Sequence, residues 1–505
     1  EKQGGLVIPD VPVGLRTVSA VKEGCEPLDV QVEVKTDRVS VVEITIAPPK
    51  PRITQEGPAV TATMETSKGT LEITTTPVDC QVNCRTAGLV GIRKTGALLR
   101  ADGVPAGKHQ LELTRGDVAL KLEIEIPRYG RCVVEADFVT KVIASKVIPQ
   151  RIAASSDTYK FRSPEQRIAR LAKFGVSEWT EQAVELGLKW LAEHQEPDGH
   201  WDTAKWGGHG PYDPGVAGLA LLAFLGAGNT ETEGPYADNV RRAVKWLRGR
   251  QDTMGNFAPA QTMYNHAIPL LAILELVGMG GSEEARAAAQ KGLDYMLSVQ
   301  NDGLAWRYWP KDGDNDMSVT SWCVRAMRAA KVAGFEVPEK AWLGVRKFVD
   351  EVTEPNTGEV GYTARPVRVA SEQPFQKYSM TACGALVRIY MGMGLEDEAV
   401  LKGMKILSEN LPDWKQPGIN SPFFYYWEAA TSAMFENGGR NWTTWNKKMS
   451  GLMLQHQITT AGELRGSWDP ETQHHFGQMG GRVVSTAFGV LVLETYYRYA
   501  RVADM

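Results

Sequence analysis

Gly187-Leu188-Lys189-Trp190-Leu191, then Gln195, then Gly199-His200-Trp201: the fold turns on this stretch, because the chain repeats it. It recurs as Ala243-Val244-Lys245-Trp246-Leu247, Gln251 and Gly255-Asn256-Phe257. It recurs again as Gly292-Leu293-Asp294-Tyr295-Met296, Gln300, Gly303 and Trp306. Weaker copies start at Val345, Gly403 and Gly451, the last ending in Gly466-Ser467-Trp468. Between the copies lie more apolar runs starting near Tyr212, Tyr264, Asp316, Tyr378, Tyr426 and Val483, in steps of roughly 50–60 residues. Each step therefore holds one helix with a polar face, as in Glu181-Gln182 or Arg241-Arg242, and one that is apolar nearly all round. Six such pairs predict an outer and an inner layer of helices. An open array needs polar capping repeats at its ends. The last run, Val483 to Tyr497, is as apolar as the middle ones, so the pairs are expected to close into a ring over 178–505.

The first 145 residues change period. Leu71-Glu72-Ile73-Thr74-Thr75-Thr76, Leu111-Glu112-Leu113 and Leu120-Lys121-Leu122-Glu123-Ile124-Glu125-Ile126 alternate as strands do. Pro12-Val13-Gly14, a strand, Lys22-Glu23-Gly24 and two more strands recur as Pro105-Ala106-Gly107, a strand, Thr114-Arg115-Gly116 and two more strands. The second copy has strands before its Pro-Ala-Gly and the first does not. Residues 1–47 are thus expected to be half of a β module, 58–145 a whole one, and 146–177 a linker with a short helix. The chain begins Glu1-Lys2-Gln3 without Met or a signal-peptide pattern, so Glu1 is either a processed end or a boundary in a longer chain. The fold class expected overall is multidomain α+β: small β-sandwich modules, then an all-α ring.

With 43% hydrophobic residues over 505, the chain can bury a sizeable core and fill about three domains. The formal net charge of −4 gives no electrostatic reason to expect nucleic acid or an anionic membrane as partner. No apolar run approaches the ~18 residues needed to span a bilayer. Four of the six cysteines, Cys25, Cys80, Cys84 and Cys132, lie in the β region. Such a concentration points to an oxidising compartment, while buried hydrophobes explain it equally. Cys80 and Cys84 lie about 13 Å apart along an extended strand and cannot bridge each other. Cys132, on the closing strand, is the residue that can reach one of them.

Two resemblances attach to these motifs. Gly/Ala-x-x-aromatic-aliphatic-x-x-x-Gln-x-x-x-Gly-x-aromatic resembles the QW repeat of squalene cyclases, whose (α/α)6 toroid the protein prenyltransferases share. Thr76-Pro77, the turn around Gly96 and Gly103-Val104-Pro105-Ala106-Gly107-Lys108-His109 resemble the PEGA β-sandwich modules of bacterial envelope proteins. The first resemblance implies the fold, with Gln195, Trp201, Gln251 and Gln300 in structural roles. It does not carry the chemistry across. The cyclase acid motif, Asp-x-Asp-Asp-Thr-Ala, aligns with Asp316-Met317-Ser318-Val319-Thr320-Ser321, where a serine stands at the acid. A serine hydroxyl is far too weak an acid to protonate an alkene. No Asp-x-Cys pair matches the prenyltransferase zinc site.

Polar residues gather at the inner-helix starts: Tyr212 and Asp213, Tyr264 and His266, Asp316 and Ser318, Tyr378, Tyr426, and Arg482. In a closed ring these starts face one mouth, and with Trp309 they form the candidate ligand-binding set. His266, Asp316 and Tyr264 are the catalytic candidates, with His266 and a tyrosine as base and acid. The competing reading makes these residues helix caps and His266 a hydrogen-bonded core histidine. Asp312, Asp314 and Asp316 alternate as calcium-loop oxygens do, but Met317 and Cys323 stand where that loop needs Gly and Glu. No other cofactor is expected.

The first expectation for function is a non-catalytic cell-envelope protein, periplasmic or extracellular, whose ring binds a ligand or protein partner. Its half module is expected to join an assembly by strand addition. The alternatives are an isoprenoid-binding or cyclase-related enzyme, which requires a deep apolar cavity, and a carbohydrate-active ring, which requires Tyr264, His266 and Arg482 exposed.

Overall fold

The computed structural model describes residues 14–20, 28–34, 68–76, 83–84, 93–95, 98–105, 107–126, 131–148, 156–174, 176–209, 211–366, 374–395, 397–415, 423–470 and 475–502. They belong to two compact units, Glu1–Glu65 and Thr66–Met505. In the first, β1 (Gly14–Ala20) pairs antiparallel with β2 (Leu28–Val34), with Val18 opposite Val30. The further strand expected for this half module lies outside the described residues.

The second unit begins with eight strands: β3 (Lys68–Thr76), β4 (Asn83–Cys84), β5 (Arg93–Thr95), β6 (Leu98–Pro105), β7 (Gly107–Arg115), β8 (Val118–Ile126), β9 (Arg131–Asp137) and β10 (Val142–Ile148). They form one sheet in the order β10-β9-β3-β6-β5 and another in the order β4-β7-β8. The alternation in sequence sets the core: Leu71 and Ile73 of one sheet pack with Leu111, Leu113 and Ile124 of the other. Cys132 is buried there as a free thiol. Of its expected disulfide partners, Cys80 lies outside the described residues and Cys84 is described by its backbone alone.

After α1 (Pro164–Phe174) come the outer helices α2 (Glu178–Glu193), α4 (Ala237–Arg250), α6 (Glu283–Ser298), α8 (Glu339–Glu351), α10 (Glu398–Glu409) and α12 (Gly439–His456). They alternate with the inner helices α3 (Asp213–Gly226), α5 (Tyr264–Gly278), α7 (Met317–Val332), α9 (Pro374–Tyr390), α11 (Phe424–Asn437) and α13 (His475–Arg498). Each inner helix packs on the next, and α13 returns to pack on α3 and α2. The six pairs therefore close into an (α/α)6 toroid. No helix among the described residues is long and apolar enough to cross a membrane.

The repeat residues join neighbouring pairs. Gln195 Nε2 donates to Gly199 O (2.9 Å) and to Asn239 O of the next outer helix (3.0 Å). Gln251 and Gln300 repeat this with Ala288 O and Ala341 O. Gln457 donates to Ala183 O (2.8 Å), which ties the last repeat to the first outer helix. The repeat tryptophans satisfy carbonyls left open at helix ends: Trp201 Nε1 donates to Leu191 O, Trp306 to Met296 O and Trp468 to Met453 O. The repeat glycines are dictated by space. At Gly199 (φ +109°) a Cβ would lie 2.2 Å from Arg242 O, and at Gly466 (φ +99°) 2.1 Å from Leu186 O. Gln457→Ala should strand two carbonyls at the closure, so thermal unfolding should show a loss of about 2–3 kcal/mol. An unchanged midpoint would mean the closure does not depend on it.

The interior of the ring is crossed by charge. Arg325 of α7 pairs with Glu428 of α11 at 2.8 Å. These helices are not neighbours in the ring, so the pair crosses its interior. Arg498 of α13 lies 3.7 Å from Glu428 and 3.3 Å from Glu275 of α5. A deep apolar cavity, as an isoprenoid ligand requires, is interrupted at this level by ion pairs from four inner helices.

The segment expected as a linker over 146–177 begins inside a strand and contains the helix α1. β10 runs to Ile148, and residues 156–174 dock on the ring where the inner helices end. Arg162 bonds Glu275 (2.6 Å), Arg498 O (2.8 Å) and Leu225 O (3.2 Å), and Arg170 bonds Tyr496 O (2.6 Å). The two arginines thus cap the last carbonyls of α3 and α13.

Beside them Glu494 is fully buried, and among the described residues neither of its carboxylate oxygens is hydrogen-bonded. Burial pushes its carboxyl far up, against the pull of Arg498, Arg162 and Arg167. A folded-state value above the unfolded one gives stability that is present at low pH and lost as pH rises through the folded value. Glu494→Gln should therefore flatten the fall in melting temperature on the alkaline side. A wild-type protein without that fall would contradict the neutral acid.

Candidate functional site

The segments entering the inner helices decide what each sequence candidate does. In four repeats the backbone N–H at the repeat's Gly-x-aromatic position is accepted by a side chain of the following inner helix. Phe257 N donates to His266 Nδ1 (3.3 Å), Trp306 N to Thr320 Oγ1 (3.4 Å), Val360 N to Thr381 Oγ1 (3.2 Å) and Trp468 N to Thr486 Oγ1 (3.4 Å). His266 thus plays the part that threonine plays elsewhere. Its Nε2 donates to Gly292 O at 3.0 Å, which fixes the neutral tautomer. At 1% exposure, burial pushes it down to about 4. The expectation of His266 as an exposed base is corrected: both ring nitrogens are occupied in the core.

Four residues before these acceptors stand Thr262, Asp316, Lys377 and Arg482. Asp316 alone of the four is fully buried, at 0% exposure. It is the N-cap of α7: Oδ1 accepts from Val319 N (2.8 Å) and from Ser318 Oγ (2.6 Å). Ser318 in turn accepts from the Tyr264 hydroxyl, at the start of α5. Oδ2 makes no hydrogen bond among the described residues, and Arg307 Nε stands 3.9 Å from it. Burial pushes the carboxyl up to about 6, and the bonds from Ser318 and Val319, with the Arg307 charge, pull the other way. Because Oδ1 already accepts two donors, the proton of the neutral acid belongs on Oδ2.

Around this carboxyl, Tyr308 and Tyr362 hydrogen-bond through their hydroxyls. Arg307 lies over both rings at 5.4 and 5.8 Å and bonds Asp314 at 2.8 Å. Burial, with the Asp316 charge second, pushes Tyr264 and Tyr362 well up, so both remain neutral hydroxyls. Buried groups with displaced ionisation beside one another are candidates for a functional site.

The remaining candidates divide. Tyr212 is the half-buried N-cap of α3, and Asp213 Oδ1 accepts from Thr203 Oγ1 (3.2 Å). Trp309 is 51% exposed at the same turn as Arg307. Tyr378 is half-buried against Tyr426, with ring centres 6.0 Å apart. Tyr426 is buried and donates to Asn410 O (2.9 Å), and Arg482 is held by Asp469 (2.7 Å) and Ser467 (3.1 Å). These last two are engaged in structure. The expected calcium loop does not gather its oxygens. Asp312 accepts from Trp309 N and Asp314 N, Asp314 pairs with Arg307, and Asp316 caps α7. Among the described residues no group of three acidic, histidine or cysteine side chains could hold a metal ion.

Sequence reasoning found Tyr264, Asp316 and Ser318 but missed Arg307 and Tyr362. The repeat register contains the signal: Tyr308 stands two residues after Trp306, and Tyr362 two after Val360, at matching places in successive repeats.

No family model matches the chain, so the PEGA likeness of the β modules stands on its residues alone. No curated protein sequence matches either. Solved structures with similar helical folds include cellobiose 2-epimerase from Bacillus thermoamylovorans B4167, at 11% identity and TM-score 0.48 over 62% of this chain and 97% of that one. An α-1,6-mannanase of Salegentibacter sp. HEL1_6 matches at 11% and 0.46, over 63% and 99%. A type II terpene cyclase from Scytonema matches at 12% and 0.43, over 63% and 96%. Likeness at this level assigns neither substrate nor reaction.

Proposed function

We propose that this chain is a carbohydrate-acting toroid enzyme with Asp316 as its acid, at the mouth where the inner helices begin. The exposed His266 and Arg482 expected from the sequence do not serve: His266 is buried, and Arg482 is held by Asp469 and Ser467. The observation that carries the reading is a fully buried carboxyl with one oxygen doubly bonded by donors and the other without a hydrogen bond. A residue serving only as an N-cap needs one oxygen, and burying a second bare one costs stability. A general acid needs a raised ionisation and a free oxygen.

The substrate class follows from the surroundings. The hydroxyls of Tyr264, Ser318, Tyr308 and Tyr362 cluster around Asp316, and Trp309 offers an exposed ring on which a sugar can stack. The ion pairs across the ring favour a ligand held at the mouth over a polyprenyl chain threaded into the interior. The neutral Asp316 would protonate a glycosidic or hemiacetal oxygen of the bound sugar from Oδ2. The β modules are read as spacers that present the ring at the cell envelope, as their PEGA likeness implies. Fractionation that leaves the chain in the cytosol would count against this placement.

The test is turnover on a panel of neutral and acidic aryl glycosides and oligosaccharides, with wild type and Asp316→Asn side by side. Turnover that falls at least about 100-fold in the variant supports the reading. Equal turnover in both, or binding of geranylgeranyl chains and no sugar, contradicts it.

A further inference from the structure

Charge is spread unevenly over the outer layer of the ring. α4 carries Arg241, Arg242, Lys245, Arg248 and Arg250 against one acid, Asp238, in a chain whose formal net charge is −4. The neighbouring α2 carries Glu178, Glu181, Glu185 and Glu193 against one lysine. Two of the α4 arginines are engaged: Arg241 pairs with Asp238, and Arg242 donates to Gln195 Oε1 (2.7 Å). Lys245, Arg248 and Arg250 are exposed and, among the described residues, have no carboxylate partner. Basic residues at a helix C-terminus can serve only to offset its dipole. That does not account for this row. The last turns of α2, α6, α8 and α10 hold no basic residue, and Lys245 precedes the last turn of α4.

The row also has a fixed place. Lys245 and Arg248 follow Arg241 at i+4 and i+7, so one face presents about one charge per 5.4 Å turn. The Arg250 guanidinium lies 5.7 Å from the centre of the Trp246 ring, which stacks on His200 at 5.2 Å. After Arg250 the chain turns to Phe257, whose N–H is accepted by His266 at the start of α5. In that turn a Cβ on Gly255 would lie 2.2 Å from Lys291 O, which brings exposed Lys291 of α6 beside the end of α4. The row therefore ends at the rim of the mouth. We propose that this face of α4 is a docking site for an anionic polysaccharide with about one charge per sugar, laid along Lys245, Arg248 and Arg250 toward the mouth. This rests on the carbohydrate reading, from which it takes the kind of polymer. Charge density separates such a glycan from duplex DNA, which places one charge every ~1.7 Å of its axis. A row of about one cation per turn matches the sparser polyanion, and the negative remainder of the chain repels the denser one.

The experiment is calorimetric titration of the whole chain with polygalacturonate and with dextran of matched length, at about 0.15 M salt. Polygalacturonate should bind at least about tenfold more tightly than dextran, and the difference should shrink as salt rises. Replacing Lys245, Arg248 and Arg250 together by alanine should remove most of that difference. It should leave turnover of any small glycoside in the panel unchanged. α12 supplies a control of equal charge, because Arg440, Lys447 and Lys448 are exposed there with no acid on the helix. Their replacement by alanine should change the affinity for polygalacturonate by less than about twofold. Equal affinity for the two polymers, or an equal loss in the α4 and α12 variants, overturns the docking site and leaves the carbohydrate reading to the glycoside panel. Duplex DNA bound more tightly than polygalacturonate overturns it as well. Polygalacturonate held at α4, with no glycoside turned over, upholds the docking site and removes the enzyme. Should the α4 variant not fold, Lys245→Glu alone decides: it should weaken polygalacturonate several-fold and leave dextran unchanged, and an unchanged polygalacturonate affinity overturns the site.

Discussion

Asp316→Asn is expected to give an inactive protein that is more stable than the wild type above neutral pH. The sign follows from linkage. The folded-state value, about 6, lies above the ordinary 3.8, so the stability tied to the proton is fully present below the unfolded value and lost as pH rises through about 6. A difference of about two units corresponds to about 3 kcal/mol at most. Asparagine keeps the N-cap to Val319 and carries no charge to bury. Its amide leaves one polar group unpaired, which takes back about 1 kcal/mol. The net gain of about 2 kcal/mol should appear as a rise of a few degrees in melting temperature at about pH 8, and shrink to under about 1 kcal/mol at about pH 5. Turnover should fall by about 100-fold or more. Stability gained where activity is lost marks a residue kept for function. A variant less stable than wild type at both pH values would return Asp316 to the role of a plain cap.

The largest loss of stability is expected from Glu275→Ala. Glu275 is fully buried on α5 and receives Arg162 (2.6 Å), Arg498 (3.3 Å) and the Tyr499 hydroxyl. Burial opposes its charge, yet Arg162 and Arg498 hold its carboxyl below the usual range. Its removal leaves Arg162 buried without its acid and Arg498 with Glu428 alone, 3.7 Å away, which costs about 3–5 kcal/mol. It also frees the docked segment 156–174, because Arg162 loses its charged partner. Denaturant unfolding should show the loss, and proteolysis should cut first within that segment. The depressed ionisation adds a signature in acid: this stability is present above the unfolded value and lost as pH falls through the folded one. Wild-type stability at neutral pH in Glu275→Ala would mean that the buried network is not what holds the segment.

The ring was largely legible because its repeat is local. Each Gln and Gly serves its own turn and the next helix, so spacing marked the outer helices, and the apolar last run marked the closure. The inner starts at Tyr264 and Asp316 fell within a residue of the helices found there. α13 begins earlier, at His475, because the chain makes a helical turn before the left-handed Gly481 (φ +57°). The docking of 156–174 was invisible because it runs through Arg162 and Arg170 to carbonyls hundreds of residues away, which leaves no periodic trace. Glu275 and Glu428, each set in an apolar helix, did leave one: a lone charge on a buried helix requires a partner across the interior.

In the site, Asp316, Ser318 and Tyr264 were found because they interrupt apolar helix starts. His266 interrupts one equally, and sequence cannot tell a base from a core acceptor. The distinction came from Thr320, Thr381 and Thr486 making the same bond. Arg307 and Tyr362 were missed because they stand in irregular segments, where only the fold brings them over Asp316.

Asp316 is expected to keep its proton up to about pH 6, and its role as acid depends on that. Infrared difference spectroscopy between wild type and Asp316→Asn reads it directly. A protonated-carboxyl band present at about pH 5, lost on titration through about pH 6 and absent from the variant, is the expected result. A wild type lacking that band at about pH 5, with the carboxylate already formed in the ordinary range near 3.8, would contradict the account.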